Sequence, residues 1–174
     1  EVLDVMGPFE VFSVAGRLST PAKFQVSLIA DNETKAVNLR HNLNIQTNYS
    51  IFENPEVDLI VVAGGITQDA EKNRDLLSWL KLSHESGKVI ASICTGAFIL
   101  AEAGILTSGD VTTHWEDQEE LSRRFPNLQV ISDKRWIRNS HAFTSGGISA
   151  GIDLSLHLVE ILSSRDHAIK TAKQ

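Results

Sequence analysis

Lys88-Val89-Ile90-Ala91-Ser92-Ile93-Cys94-Thr95-Gly96-Ala97-Phe98-Ile99-Leu100-Ala101 holds two secondary structures and the only cysteine of this 174-residue chain. Val89 to Ile93 is short, apolar and rich in β-branched residues, the pattern of a strand buried in a parallel sheet. From Ala97 onward, Ala and Leu favour a helix. Thr95 and Gly96 leave no room for a loop, so Cys94 falls on a sharp strand-to-helix turn. The unpaired N–H groups of the helix start favour an anion there. That predicts a thiol that ionises more readily than a free cysteine. Two readings of Cys94 stand on these residues: a nucleophile on an elbow, and a buried structural thiol, since free Cys is among the most buried residue types.

The length fits one domain with a real core. The composition is that of a soluble globular protein, 42% hydrophobic and 22% charged. One cysteine excludes a disulfide framework within the chain and points to a reducing, cytoplasmic setting. A formal charge of −6 argues against a broad nucleic-acid-binding surface. No apolar run is long enough to cross a bilayer.

Outward from the elbow, strands and helices alternate. Gly7-Pro8 followed by Phe9, Val11, Phe12 and Val14 predicts a helix with Pro in its first turn, ending near Gly16. Phe24 to Ala30 alternates as a strand, and a short strand is expected around Leu43 to Gln46. Val57 to Ala63 is an apolar strand closed by Gly64-Gly65. Asp69 to Ser86 reads as a helix stopped by Gly87, with Leu76, Leu77 and Leu80 inward. Trp115 to Phe125 is a short charged helix. Leu128 to Ile131, Arg135 to Arg138 and Ala142 to Thr144 are short strands. Ile148 to Leu162 is a helix with Ile148, Ile152, Leu156, Val159 and Leu162 at helical spacing. The alternation predicts an α/β fold with a mostly parallel sheet covered on both faces. Ligands bind such sheets at the carboxyl ends of strands, where both Gly64-Gly65 and Cys94 lie.

A thiolate nucleophile needs hydrogen-bond donors for its intermediate. Thr95 N–H, at the helix start, is one. The backbone around Gly65 is a second, because glycine lets main chain approach a ligand; Gly64-Gly65 also reads as an ordinary tight turn. Asp4, in an apolar stretch before a helix, reads as an N-terminal cap or as a buried acid able to give a proton. His114, after Val111-Thr112-Thr113, is a candidate acid, base or orienting group, or simply a satisfied polar residue. His41, His84, His141, His157 and His167 show no metal-ligand spacing, and no metal is expected. Gly147-Ile148-Ser149-Ala150-Gly151 matches the G-x-S-x-G pattern of serine hydrolases. Only the final helix and tail follow it, so Asp153, His157, Asp166 and His167 are poorly placed as partners. A tight turn leading into a helix is the better reading.

Ser92-Ile93-Cys94-Thr95-Gly96-Ala97, Thr112-Thr113-His114-Trp115 and Thr144-Ser145-Gly146-Gly147 through Gly151-Ile152-Asp153 together resemble the ThiJ/PfpI superfamily, of the class I glutamine amidotransferase-like fold. Asp4-Val5-Met6-Gly7-Pro8-Phe9-Glu10-Val11-Phe12 resembles the branch that holds isonitrile (isocyanide) hydratases and the ligand-sensing domains of AraC-type transcription regulators. The resemblance implies a flavodoxin-like three-layer sandwich over 1–174 as a single domain, and a homodimer. It implies Cys94 as nucleophile, Asp4 as the acid beside its sulfur, Gly65 and Thr95 at the oxyanion site, and His114 as an auxiliary. Thr95 stands where the protease-like branch has His, which disfavours a Cys-His peptidase. Family members begin with a strand leading into the segment that starts here at Glu1, so a domain without that strand is expected.

The function implied first is a lyase: a cofactor-free hydratase of small electrophiles. Thiolate Cys94 would attack the isonitrile carbon, Asp4 would supply a proton, and water would release a formamide. The alternatives are a glyoxalase- or deglycase-like enzyme, a redox sensor, and the sensor domain of a regulator. The partner expected in each is a small molecule, with no membrane and no direct nucleic-acid contact.

Overall fold

Ile60 and Ile90 point to one side of the sheet, and Leu59, Val61, Val89 and Ala91 to the other. Alternation along two adjacent strands therefore feeds two separate cores. The computed structural model describes residues 1–21, 23–140 and 142–174; His141 lies outside the described residues. Its elements are α1 (Val2–Arg17), β1 (Ile29–Ala30), β2 (Ala36–Leu39), β3 (Leu43–Gln46), β4 (Tyr49–Ser50), β5 (Leu59–Val62), α2 (Arg74–Glu85), β6 (Val89–Ile93) and α3 (Gly96–Glu102). There follow β7 (Gly109–Val111), α4 (Gln118–Arg124), β8 (Leu128–Val130), β9 (Trp136–Arg138), β10 (Phe143–Ser145), α5 (Ser149–Leu162) and α6 (Arg165–Ala172).

The central sheet runs β5-β6-β10-β9; the first three strands are parallel and β9 is antiparallel to β10. Among the described residues there are also three two-stranded pairs: β1 with β4, β2 with β3 as a hairpin, and β7 with β8. One core packs α2, α3 and α4 against Ile60 and Ile90. The other packs α1, α5 and α6 against Ala91 and Phe143. This is the expected three-layer α/β sandwich, with β6 at its centre and the Cys94 turn at the carboxyl end of β6.

Several elements differ from the sequence reading. Helix α1 begins at Val2, so Pro8 lies inside the helix and not in its first turn. The Gly7-Pro8 pair, which reads locally as a start, serves a crossing: a Cβ on Gly7 would sit 2.9 Å from Ile152 Cγ1 on α5. The 24–30 strand pairs only at Ile29–Ala30, because its partner β4 has only two residues. Phe24 still packs, its ring 5.7 Å from that of Phe12. The long helix at 69–86 is split by Asn73, whose side chain accepts from Asp75 and Leu76 N–H and caps α2. On α5 the buried side chains include Leu154, Leu158 and Val159, whereas Ile148 and Leu162 are exposed. That helix is sandwiched between the sheet and α1 and α6, so its buried face is wider than one apolar stripe and shifted from the one expected. Helix α6 was read as a tail; the Ser164 side chain caps it by accepting His167 N–H.

Candidate active site

Cys94 sits on the elbow with φ +56, a left-handed backbone that costs a side-chain-bearing residue energy and persists only when its surroundings hold it. Those surroundings are visible on both sides. Cys94 N–H donates to Ser145 O at 3.0 Å, in the segment closing β10, and Thr113 Oγ1 donates to Cys94 O at 2.7 Å. Gly64 makes the tight approach possible: a Cβ there would lie 2.6 Å from Thr95 N and 2.7 Å from Cys94 Cβ. The sulfur borders a cleft of about 770 Å³, with Gly65, Thr95, His114, Gly147 and Ile148 around it and Glu71 and Arg124 further along its wall.

Asp4 is not an N-terminal cap. It lies in the first turn of α1, only 1% exposed, and α1 has no side-chain cap. One oxygen, Oδ1, accepts the N–H of Ile148 at 2.9 Å, while Oδ2 has no hydrogen-bond partner among the described residues. The carboxyl group lies near enough to Cys94 for its charge to raise the thiol. The structure thus joins α1, the turn before α5 and the elbow in one place, with Asp4 buried among them.

The thiol itself departs from expectation. Burial, and then the charge of Asp4, push the Cys94 thiol up to about 12. Hydrogen bonds from the Thr95 N–H and hydroxyl pull the other way but are outweighed. The helix-start effect foreseen from sequence is present as the Thr95 N–H bond. Desolvation and a neighbouring carboxylate, neither visible in the local sequence, overcome it.

Gly65 N–H, expected to face a ligand, donates to Thr95 Oγ1 at 2.8 Å, and that hydroxyl lies 2.9 Å from Gly65 O. The Thr95 hydroxyl therefore chooses between the sulfur and the Gly65 carbonyl for its single proton. Gly147 separates His114 from the sulfur: a Cβ there would sit 3.0 Å from His114 Nδ1 and 3.2 Å from Cys94 Sγ. The far ring nitrogen, Nε2, lies 3.4 Å from Glu116. In the sequence Gly147 reads as part of a tight turn, and its spacing role follows only from the fold, which brings His114 and Cys94 to either side of it.

The serine-hydrolase pattern leads elsewhere. Ser149 Oγ accepts from Arg135 at 3.1 Å, and Arg135 pairs with Asp153. His157 stacks on Trp136 at 4.1 Å, and His167 Nε2 contacts Ala15 O at 2.8 Å. Among the described residues no group of three His, Cys, Asp or Glu is placed to hold a metal, and no helix is long and apolar enough to cross a membrane.

The family model of the DJ-1/PfpI family matches residues 1–161. The chain belongs to the DJ-1/PfpI family. It is 30% identical to the isonitrile hydratase of Pseudomonas putida over 168 residues, 95% of this chain and 69% of that protein. It is 31% identical to the HTH-type transcriptional regulator GbdR of Pseudomonas aeruginosa over 105 residues, which is 60% of this chain but only 28% of the regulator. Among solved structures, the family fold recurs in DJ-1beta of Drosophila melanogaster, with TM-score 0.86 at 20% identity, covering 99% of this chain and 90% of that one. An AraC family transcriptional regulator from Pseudomonas putida gives TM-score 0.83 at 20% identity, covering 99% and 92%. The family thus includes relatives named as enzymes and relatives named as regulators.

Proposed function

We propose that this family member is a cysteine-dependent hydratase of small electrophilic carbon, with isonitriles as its substrate class. The observation that carries the reading is a buried Asp4 carboxyl, one oxygen of it unpartnered among the described residues, whose charge acts on an elbow thiol at a cleft. The isonitrile hydratase relative, similar over nearly all of this chain, supports the choice of substrate.

The raised thiol changes the first step. A thiol at about 12 rests protonated at neutral pH, so Asp4 acts first as a base. As sulfur bonds to the terminal isonitrile carbon, the thiol proton passes to Asp4 and from there to that carbon, giving a thioimidate. Water adds to the C=N bond, placing OH on carbon and H on nitrogen. The C–S bond then breaks and the hydroxyl proton returns to sulfur by way of Asp4, releasing an N-substituted formamide. The sum is isonitrile plus water, and no cofactor enters. Thr95 N–H faces the oxygen of the tetrahedral adduct, Gly65 lines the same side, and His114 borders it.

Incubation with a small alkyl isonitrile and mass spectrometry of the product test this. The parent yields formamide, whereas Cys94→Ala and Asp4→Asn lose at least about a hundredfold in rate. Consumption without formamide, or a rate indifferent to Asp4, overturns the reading. A second reading, a ligand-sensing domain, is favoured by the similarity to HTH-type regulators. It predicts saturable binding in the cleft with no turnover; an aldehyde arm in the same screen covers the deglycase-like alternative. In either case residues 1–174 act as one domain in a homodimer, which sedimentation checks as twice the 19.1 kDa chain mass.

A further inference from the structure

The carbonyl of Cys94 has an unusual set of partners. In a regular helix start it would accept from Phe98 N–H, but that donor goes to Thr95 O at 3.0 Å. Ala97 N–H approaches only to 3.5 Å. The short bond to Cys94 O comes instead from the Thr113 hydroxyl, 2.7 Å away and buried at 1% exposure. Cys94 C=O and Thr95 N–H belong to one planar peptide unit and point to opposite sides of it. Whatever fixes the carbonyl therefore fixes where the N–H aims, and Thr95 lines the same cleft as Cys94.

We propose that Thr113 is a positioning residue: its hydroxyl, by holding the Cys94 carbonyl, orients the Thr95 N–H onto the Cys94 sulfur and the oxygen of its adduct. The bond also polarises that peptide, which makes its N–H a better donor. This deepens the function proposed above and rests on Cys94 being the reacting atom. The adjacent Thr112 supplies an internal comparison. It is equally buried, and its own N–H donates to Thr144 Oγ1 at 2.9 Å, but its hydroxyl has no partner among the described residues. Two neighbouring threonines thus share chemistry and burial and differ in what the hydroxyl holds.

The test compares the parent with Thr113→Val, Thr113→Ser and Thr112→Val, reading iodoacetamide alkylation of Cys94 across pH and hydrogen exchange at the Thr95 amide. Thr113→Val preserves shape and removes the donor. It is expected to move the alkylation profile up by about one pH unit, a tenfold slower reaction at fixed pH below the midpoint. It also exposes the Thr95 amide to faster exchange. Thr113→Ser restores both readings, and Thr112→Val leaves both at the parent value. A Thr113→Val protein with parental alkylation and exchange overturns the proposal, as does an equal effect from Thr112→Val, which would mark general loosening. If Cys94 resists alkylation at every pH, the proposed function fails while the Thr95 exchange still decides the positioning role. Should Thr113→Val not fold, Thr113→Ala carries the same comparison.

Discussion

Asp4 acts on Cys94 in two opposed ways. Its charge raises the thiol, which makes a resting thiolate scarcer, yet its carboxyl is the group that the proposed hydration uses to accept and return the proton. Removing the charge therefore separates reactivity from turnover. Asp4→Asn is expected to alkylate faster than the parent at a given pH while hydrating isonitriles far more slowly. Parallel alkylation and formamide assays check the pair of signs. The raised thiol also makes stability depend on pH. Burial holds Cys94 protonated in the folded state up to about 12, against an ordinary value of 9.0. Above 9 the unfolded chain has already released this proton. The stabilising contribution is complete below about pH 9 and is lost as pH rises towards 12. Denaturant midpoints of the parent should fall more steeply in that window than those of Cys94→Ala, and parallel curves would contradict the assignment.

The elements that meet at the sulfur do so through glycines that leave room for it. Gly147→Ala introduces a methyl 3.2 Å from Sγ and 3.0 Å from His114 Nδ1, so it should slow alkylation and turnover together. The expected cost in stability is about 1–3 kcal/mol from overpacking, measured by urea unfolding. What the sequence disclosed at this scale followed from how local each signal was. Strand β6 lies where its apolar and β-branched run placed it, since burial and pairing agreed with propensity. Gly7-Pro8 misled because the reason for that pair lies on α5, at Ile152. Helix α6 escaped because its Ser164 cap precedes a polar segment with weak periodicity. The residues around the elbow were found as candidates, and the geometry brings Asp4, Gly65, Thr95 and His114 around Cys94. The direction of the thiol shift was not legible, because it depends on a carboxylate 90 positions away in the chain and on burial, and neither leaves a local mark.

Across the whole molecule, Arg124 ties three parts of one wall together. Its guanidinium reaches Glu71 at 2.7 Å in the turn before α2 and Glu102 at 2.6 Å at the end of α3, and it lies 5.0 Å over the Phe98 ring. Glu71 is the buried partner, with a side chain 7% exposed, and Thr67 donates to it at 2.6 Å. Arg124→Met leaves that charge without its cation and should cost about 2 kcal/mol; Glu71→Gln added to it should recover much of the loss, as a double-mutant cycle of unfolding would measure. The Asp4–Ile148 bond spans 144 positions, nearly the length of the chain. It cannot form until both ends have come together, and contacts of such separation are slow to make. During refolding the sulfur therefore passes through a period with no carboxylate beside it, more easily ionised than in the finished protein. Native structure acts on this thiol as a guard. The chain is most open to alkylation and oxidation while it is being made, and pulses of iodoacetamide during refolding should show labelling fall as native structure forms.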